Sequence, residues 1–129
     1  MKSFLAPLLR SSESPFVLTN TRNNHIVAHT LLTAFDSASR RRGLLKHDSL
    51  EEGSALIIAP TSAIHTFWMR FAIDVAFVSK EGRVVKVRPA VMPWRMAAAW
   101  GAYAVVEMAA GGFDRSETRA GDLIQVTPI

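Results

Sequence analysis

The chain contains no cysteine, which excludes disulfides, zinc ribbons, iron–sulfur clusters and thiol catalysis. No uncharged apolar run approaches the ~18–20 residues that a membrane-spanning helix requires. A phosphate-cradling glycine loop, a dinucleotide fingerprint, a metalloprotease His-Glu helix and a serine elbow are all missing. No repeat, low-complexity tract or linker divides the 129 residues, which leaves room for one domain. What is present is a globular composition, 49% hydrophobic and 20% charged.

Acidic residues are in modest deficit. Fifteen Lys and Arg against eleven Asp and Glu give a net charge of +4. The excess is concentrated in Arg40-Arg41-Arg42 and in Arg83, Lys86 and Arg88. No aromatics interleave with these cations in the sequence, and they form no continuous track, which disfavours a nucleic-acid partner. An anionic small molecule remains as a candidate ligand, and no protein partner is specified.

The N-terminal Met1–Arg10 stretch has a basic start, but Pro7 interrupts its apolar residues and Arg10 follows at once. It does not resemble a secretory leader. Residues 1–14 therefore read as a flexible arm, residues 15–129 as the domain, and the protein as cytoplasmic.

Seven segments have strand character. Phe16–Thr19 and His25–His29 flank an Asn-rich loop and read as a hairpin. Ala55–Ala59 is a continuous apolar run, as expected for a strand buried on both faces. Asp74–Ser79 and Arg83–Arg88 flank Lys80-Glu81-Gly82, the clearest hairpin turn. Ala102–Met108 and Leu123–Thr127 complete the set. Asp36–Gly43 has helix punctuation, with an Asx cap, cations in the last turn and a glycine stop. The Arg triplet then faces the negative end of a short helix. Val91–Gly101 reads as a helical turn or a mobile loop, with Trp94 and Trp100 as a lid. The expected fold is mainly β: a single-domain sandwich or half-barrel of about seven strands with one or two short helices.

Ile64-His65-Thr66-Phe67-Trp68-Met69-Arg70-Phe71-Ala72-Ile73-Asp74 mixes polar and large apolar side chains more densely than any other stretch. Extended backbone would put His65, Phe67 and Met69 on one face and Thr66, Trp68 and Arg70 on the other. An apolar segment cannot hold an unpaired guanidinium, so Arg70 is expected to be partly buried against Asp74 or Glu107. Glu107 lies inside an apolar strand and needs a partner or a raised pKa. Asp122, after Gly121, is a turn residue and a candidate ligand contact. His25 and His29 share a strand face, but a metal would want further ligands, so no metal and no other cofactor is expected. His47 and Asp48 read as a surface loop.

These residues carry a family resemblance. His65–Asp74 resembles the central signature of the domain-of-unknown-function 192 family. Further matches follow in order: Ala28-His29, Arg42-Gly43-Leu44-Leu45, Gly53, Leu56–Pro60, Gly82, Pro93, Val105–Glu107 with Gly111, and Gly121-Asp122. Ala72 stands where proline is frequent and Leu45 where methionine is frequent. The resemblance implies a compact jelly-roll-like β fold and no established activity. Members often carry an export leader, which this chain does not display.

The resulting expectation is a binding or accessory module for a small anionic ligand. Its cleft would be formed by His65, Trp68, Arg70 and Asp74, with Glu107 and Asp122 as further contacts. Trp68 would line a concave surface beside an accessible His65. Two alternatives stand beside it: a hydrolase using His65 with Asp74 or Glu107, and a structural or interaction module.

Overall fold

The computed structural model describes residues 3–10 and 15–129. Its centre is a five-stranded sheet in the order β3-β4-β9-β6-β7, formed by Thr30–Ala34, Ser54–Ile58, Ala104–Ala109, Ile73–Val78 and Val84–Val91. β4, β9 and β6 are almost wholly buried. That is what their unbroken apolar runs require, because a strand covered on both faces has no polar side to alternate with.

One face of this sheet meets a three-stranded sheet in the order β10-β1-β2, Ile124–Pro128, Phe16–Asn20 and Ile26–Ala28. Leu18, Val27, Ile124 and Val126 from that sheet pack with Ile57, Ala76, Val106 and Met108. The other face carries Leu56, Ile58, Val75, Phe77 and Val105 and is covered differently. Its cover is the connection from β3 to β4, which contains α2 (Ser37–Arg42), together with a two-stranded ribbon of β5 (Ala63–His65) and β8 (Met96–Ala98). β3 and β4 run parallel, so the chain must cross over between them, and α2 lies in that crossover.

The mainly β expectation holds: the described residues form ten strands and three short helices, and among them the strands close into no barrel. All seven expected strands are present. The additional ones are β3, β5 and β8. β8 falls in the segment read as a helical turn or mobile lid: Ala97 pairs with Ile64 and is buried, so this stretch is tied into the second layer. α2 opens on Asp36, whose carboxylate accepts from Ser39 N at 2.7 Å, and stops at Gly43. In the β6–β7 hairpin Gly82 has φ +102, and a Cβ there would lie 2.4 Å from the Ile124 carbonyl oxygen, so no other residue fits.

Of the N-terminal stretch set apart as an arm, residues 1–2 and 11–14 lie outside the described residues. The rest docks. Phe4 N donates to the Lys80 carbonyl at 2.9 Å, and Leu5, 1% exposed, enters the core between the two larger sheets ahead of α1 (Ala6–Arg10).

Candidate functional site

Period-two alternation decides which polar residues can meet. Glu107 pairs with Leu56 on one side and Val75 on the other, so its side chain shares the face of Val105. Asp74 pairs with Met108 and shares the face of Ala76 and Val106. The two carboxylates therefore lie on opposite sides of the central sheet, and the expectation that both serve one cleft is corrected.

Glu107 is 3% exposed, yet it opens onto a cleft of about 680 Å³ between α2 and β5. Leu44, Leu45, Ile58, Ile64 and Met69 form the apolar walls. Arg40, Arg41 and Arg42 line the cleft from α2, and His65 lines it from the end of β5. Burial alone pushes the Glu107 carboxyl up to about 7. Among the described residues no hydrogen bond or ion pair reaches it; the Arg partner expected from its position in an apolar strand is absent. Arg40 is partly committed, its Nη1 donating to the Phe35 carbonyl at 2.8 Å. Arg41 and Arg42 are exposed.

The other expected site residues do not gather there. Regular strand geometry ends at His65, and Trp68 has φ +70, so the extended alternation assumed for residues 65–70 breaks. Thr66 is completely buried while Trp68 is 70% exposed, which separates two residues expected on one face. Arg70 pairs with Asp48, their side chains 58% and 84% exposed, and reaches neither Asp74 nor Glu107. The expected buried pair is thus a surface pair. An exposed guanidinium needs no internal carboxylate.

Asp74 and Asp122 hold backbone and side chains in place. Asp74 Oδ1 accepts from Ala90 N at 2.9 Å and Oδ2 from Phe113 N at 3.4 Å. Ala90 has φ +48 where the β6–β7 register shifts, so Asp74 satisfies a donor that the bulge releases from the ladder. Asp122 accepts from Arg22 Nε at 2.7 Å, Asn20 Nδ2 at 2.8 Å and Arg119 N at 3.0 Å. Arg22 above all holds its carboxyl down at about 2. His25 and His29 face Ser116 and Thr30, and among the described residues no three His, Asp or Glu side chains converge.

A second feature adjoins the cleft through His65. The ring of His65 lies 5.0 Å from Phe67, Phe67 stacks 5.7 Å from Trp94, and Trp94 meets Trp68 edge-on at 4.7 Å. Trp68 is not part of the lining of the Glu107 cleft; 70% exposed, it projects beside Trp94. Trp94, expected in a lid, is fixed in this array. Thr66 clamps the two loops together: its Oγ1 donates to the Met92 carbonyl at 2.7 Å and accepts from Arg95 N at 2.8 Å. Trp94 N donates back to the Thr66 carbonyl at 3.0 Å. Trp94 has φ +68, so both tryptophans sit in left-handed backbone, at a cost of about 1–2 kcal/mol each.

Sequence reasoning missed the Arg40–Arg42 edge of the cleft, because the triplet also explains itself as cations at a helix end. The available signal was the matched Arg42-Gly43-Leu44-Leu45 element, all four residues of which line the cleft.

The family described as "Uncharacterized ACR, COG1430", DUF192, matches residues 18–126. No curated protein sequence matches the chain. Among solved structures, the fold is similar to a protein of unknown function from Novosphingobium aromaticivorans DSM 12444, at 23% identity and TM-score 0.74, over 86% of this chain and 83% of that one. It is also similar to a protein from Sinorhizobium meliloti 1021 described as a "putative transcription regulator", at 14% identity and TM-score 0.75, over 86% and 91% of the two chains. These likenesses establish the fold alone.

Proposed function

Because the chain belongs to the DUF192 family, uncharacterised by its own description, we propose from the cleft itself that the protein is a binding domain for a small amphiphilic anion. The observation that carries this reading is the Glu107 carboxyl, buried and without a partner among the described residues, in a cleft that Arg40, Arg41 and Arg42 also line. No side-chain oxygen among the described residues is both fully buried and unpaired, so the Glu107 oxygens reach the cleft itself, and a ligand group there can take up the hydrogen bonding that the chain does not supply. In its neutral form Glu107 donates one O–H bond, which suits a ligand hydroxyl or carbonyl. Guanidinium forks suit a carboxylate or phosphate, and the Leu, Ile and Met walls suit an apolar body between the two ends.

Binding is favoured over hydrolysis by the same geometry. Asp74 faces the other side of the sheet, the Nδ1 of His65 accepts from Phe67 N at 3.2 Å, and among the described residues no hydrogen bond joins His65 to Glu107, although both line the cleft. The regulator description of the Sinorhizobium relative is compatible with a ligand-sensing role but adds no weight at 14% identity. The reading retains residues 15–129 as the domain and a cytoplasmic location. Among the described residues no helix is long and apolar enough to cross a membrane.

Calorimetry with octanoate, octyl phosphate, octylamine and acetate tests the proposal. The two amphiphilic anions should bind, the amine and acetate should not, and Arg41→Ala with Arg42→Ala should weaken anion binding by about tenfold. Affinity should fall as pH rises through about 7, where Glu107 ionises, and Glu107→Gln should remove that dependence. If neither anion binds, or octylamine binds best, the reading is wrong.

A further inference from the structure

Two loops, residues 66–72 and 92–95, bring Phe67, Trp68, Met92 and Trp94 together outside the cleft, with Met96 beside His65 on the outer side of the β5–β8 ribbon. Trp68 and Trp94 remain 70% and 53% exposed, and Met92 and Met96 are exposed as well. Soluble monomers rarely display so contiguous an apolar projection unless it contacts something. The left-handed backbone at both tryptophans and the Thr66 clamp mean that the projection is built, not merely uncovered.

The segments that build it carry charge of one sign. Residues 63–73 and 84–103, which form the loops, the ribbon and the neighbouring β7, contain no Asp or Glu. They carry Arg70, Lys86, Arg88 and Arg95. Lys86 and Arg88 pair with Phe77 and Val75, so they lie on the sheet face that bears the ribbon, and Lys86 Nζ reaches the Ala98 carbonyl at 3.1 Å. Asp48 comes to this side from the β3–β4 connection and pairs with Arg70, and Glu107 lies in the adjoining cleft.

We propose that this aromatic wedge docks the protein onto an anionic lipid bilayer surface, with Phe67, Trp68 and Trp94 entering the headgroup layer and the flanking Arg and Lys side chains meeting lipid phosphates. Indole rings, apolar in body and with an N–H at the edge, belong at that depth. Cations beside them add attraction to anionic headgroups. Three other occupants fit less well. A second copy would bring two cationic faces together. A single strand of nucleic acid needs open ring faces with gaps for bases, whereas these rings lie 4.7–5.7 Å apart and pack on each other. A folded protein needs a recess complementary to a protruding wedge, which a deformable bilayer does not. Docking of this kind requires no spanning helix.

Vesicles of phosphatidylcholine with about 30 mol% phosphatidylglycerol, and of phosphatidylcholine alone, test the proposal by flotation. In a Trp100→Phe background the remaining indoles are Trp68 and Trp94, and their emission should shift to the blue on the anionic vesicles. Trp68→Asn with Trp94→Asn should reduce partitioning by at least about tenfold; asparagine tolerates left-handed backbone, so the loops keep their shape. Arg88→Gln with Arg95→Gln, or salt raised from about 0.1 to about 0.5 M, should weaken binding to anionic vesicles and leave the weak binding to neutral ones unchanged. Unaltered thermal unfolding of each variant establishes that it is folded. The proposal fails if anionic vesicles do not bind, or if the asparagine variant binds them as the parent does. It fails equally if that variant instead abolishes self-association, or binding to poly-glutamate or oligo-thymidine, without changing vesicle binding.

Discussion

The two faces of the central sheet treat their buried carboxyl groups in opposite ways. On the face covered by β10-β1-β2, Asp74 accepts two backbone donors, and beyond it Asp122 gathers Arg22, Asn20 and Arg119 N. On the face covered by α2 and the ribbon, Glu107 opens onto a cleft and has no partner among the described residues. Asp122 is accordingly held low, at about 2, and Glu107 pushed high, at about 7. A polar group that locks a fold is saturated by the chain. One left for a ligand is not. On the proposed reading the first face serves architecture and the second binding, and each substitution below tests one side of that contrast.

Asp74→Ala should have the largest effect. It leaves the N–H groups of Ala90 and Phe113 without their acceptor, one at the β6–β7 bulge and one in α3 (Gly112–Arg115). A destabilisation of about 3–4 kcal/mol is expected in urea unfolding, from two orphaned donors at about 1–3 kcal/mol each. If the loss is under about 1 kcal/mol, Asp74 is not a lock.

Glu107 should make stability fall with pH. The unfolded carboxyl titrates near 4.5 and the folded one near 7, so between those values the native state binds more protons and rising pH favours unfolding. Below about 4.5 the penalty is absent, and above about 7 it is complete, at roughly 3 kcal/mol. Glu107→Gln should flatten this part of the profile and raise stability at pH 8. A native chain whose stability is level from pH 5 to 8 would show that Glu107 has a partner after all.

Asp122 has the opposite sign and a smaller size. Its folded pKa lies below the unfolded value of 3.8, so its contribution is present at neutral pH and is lost as pH falls from 3.8 towards 2. With Arg22 partly exposed, the contribution is on the order of 1–2 kcal/mol. Asp122→Asn should reduce stability by that amount at pH 7 and by only a small part of it at pH 2, where the folded carboxyl is half protonated, as read from denaturant midpoints at the two pH values.

These contrasts also mark how far the sequence was legible. Seven of the strands, the capped helix and the β6–β7 turn follow from local rules, apolar runs, an Asx cap and a glycine at positive φ. β5 and β8 have three residues each and exist because they pair with each other across an interval of thirty residues, which no local signal encodes. The site was half legible. Glu107 stands out as a carboxyl in an apolar strand wherever it faces. Which face it shares with Arg40–Arg42 depends on the parallel β3–β4 crossover, and that is a property of the assembled sheet. The reading of residues 65–70 as extended failed at one dihedral, the positive φ of Trp68, which turns Thr66 inward and the indole outward.

Arg70 gives the smallest and sharpest test. Inside a dense apolar signature it reads as half of a buried ion pair, and removing one partner of such a pair would cost about 3–5 kcal/mol. Its actual partner is Asp48, and both side chains are mostly exposed. Water screens the pair, and ordering two long side chains offsets much of the attraction, so exposed pairs contribute about 0–1 kcal/mol. Arg70→Met should therefore change unfolding stability by less than about 0.5 kcal/mol, and 0.5 M salt should remove most of that difference. A loss of 3 kcal/mol or more would mean that the guanidinium reaches a buried carboxyl, with Glu107 the candidate on that face of the sheet. The cleft would then be saturated by its own chain, and the contrast between the two faces would disappear.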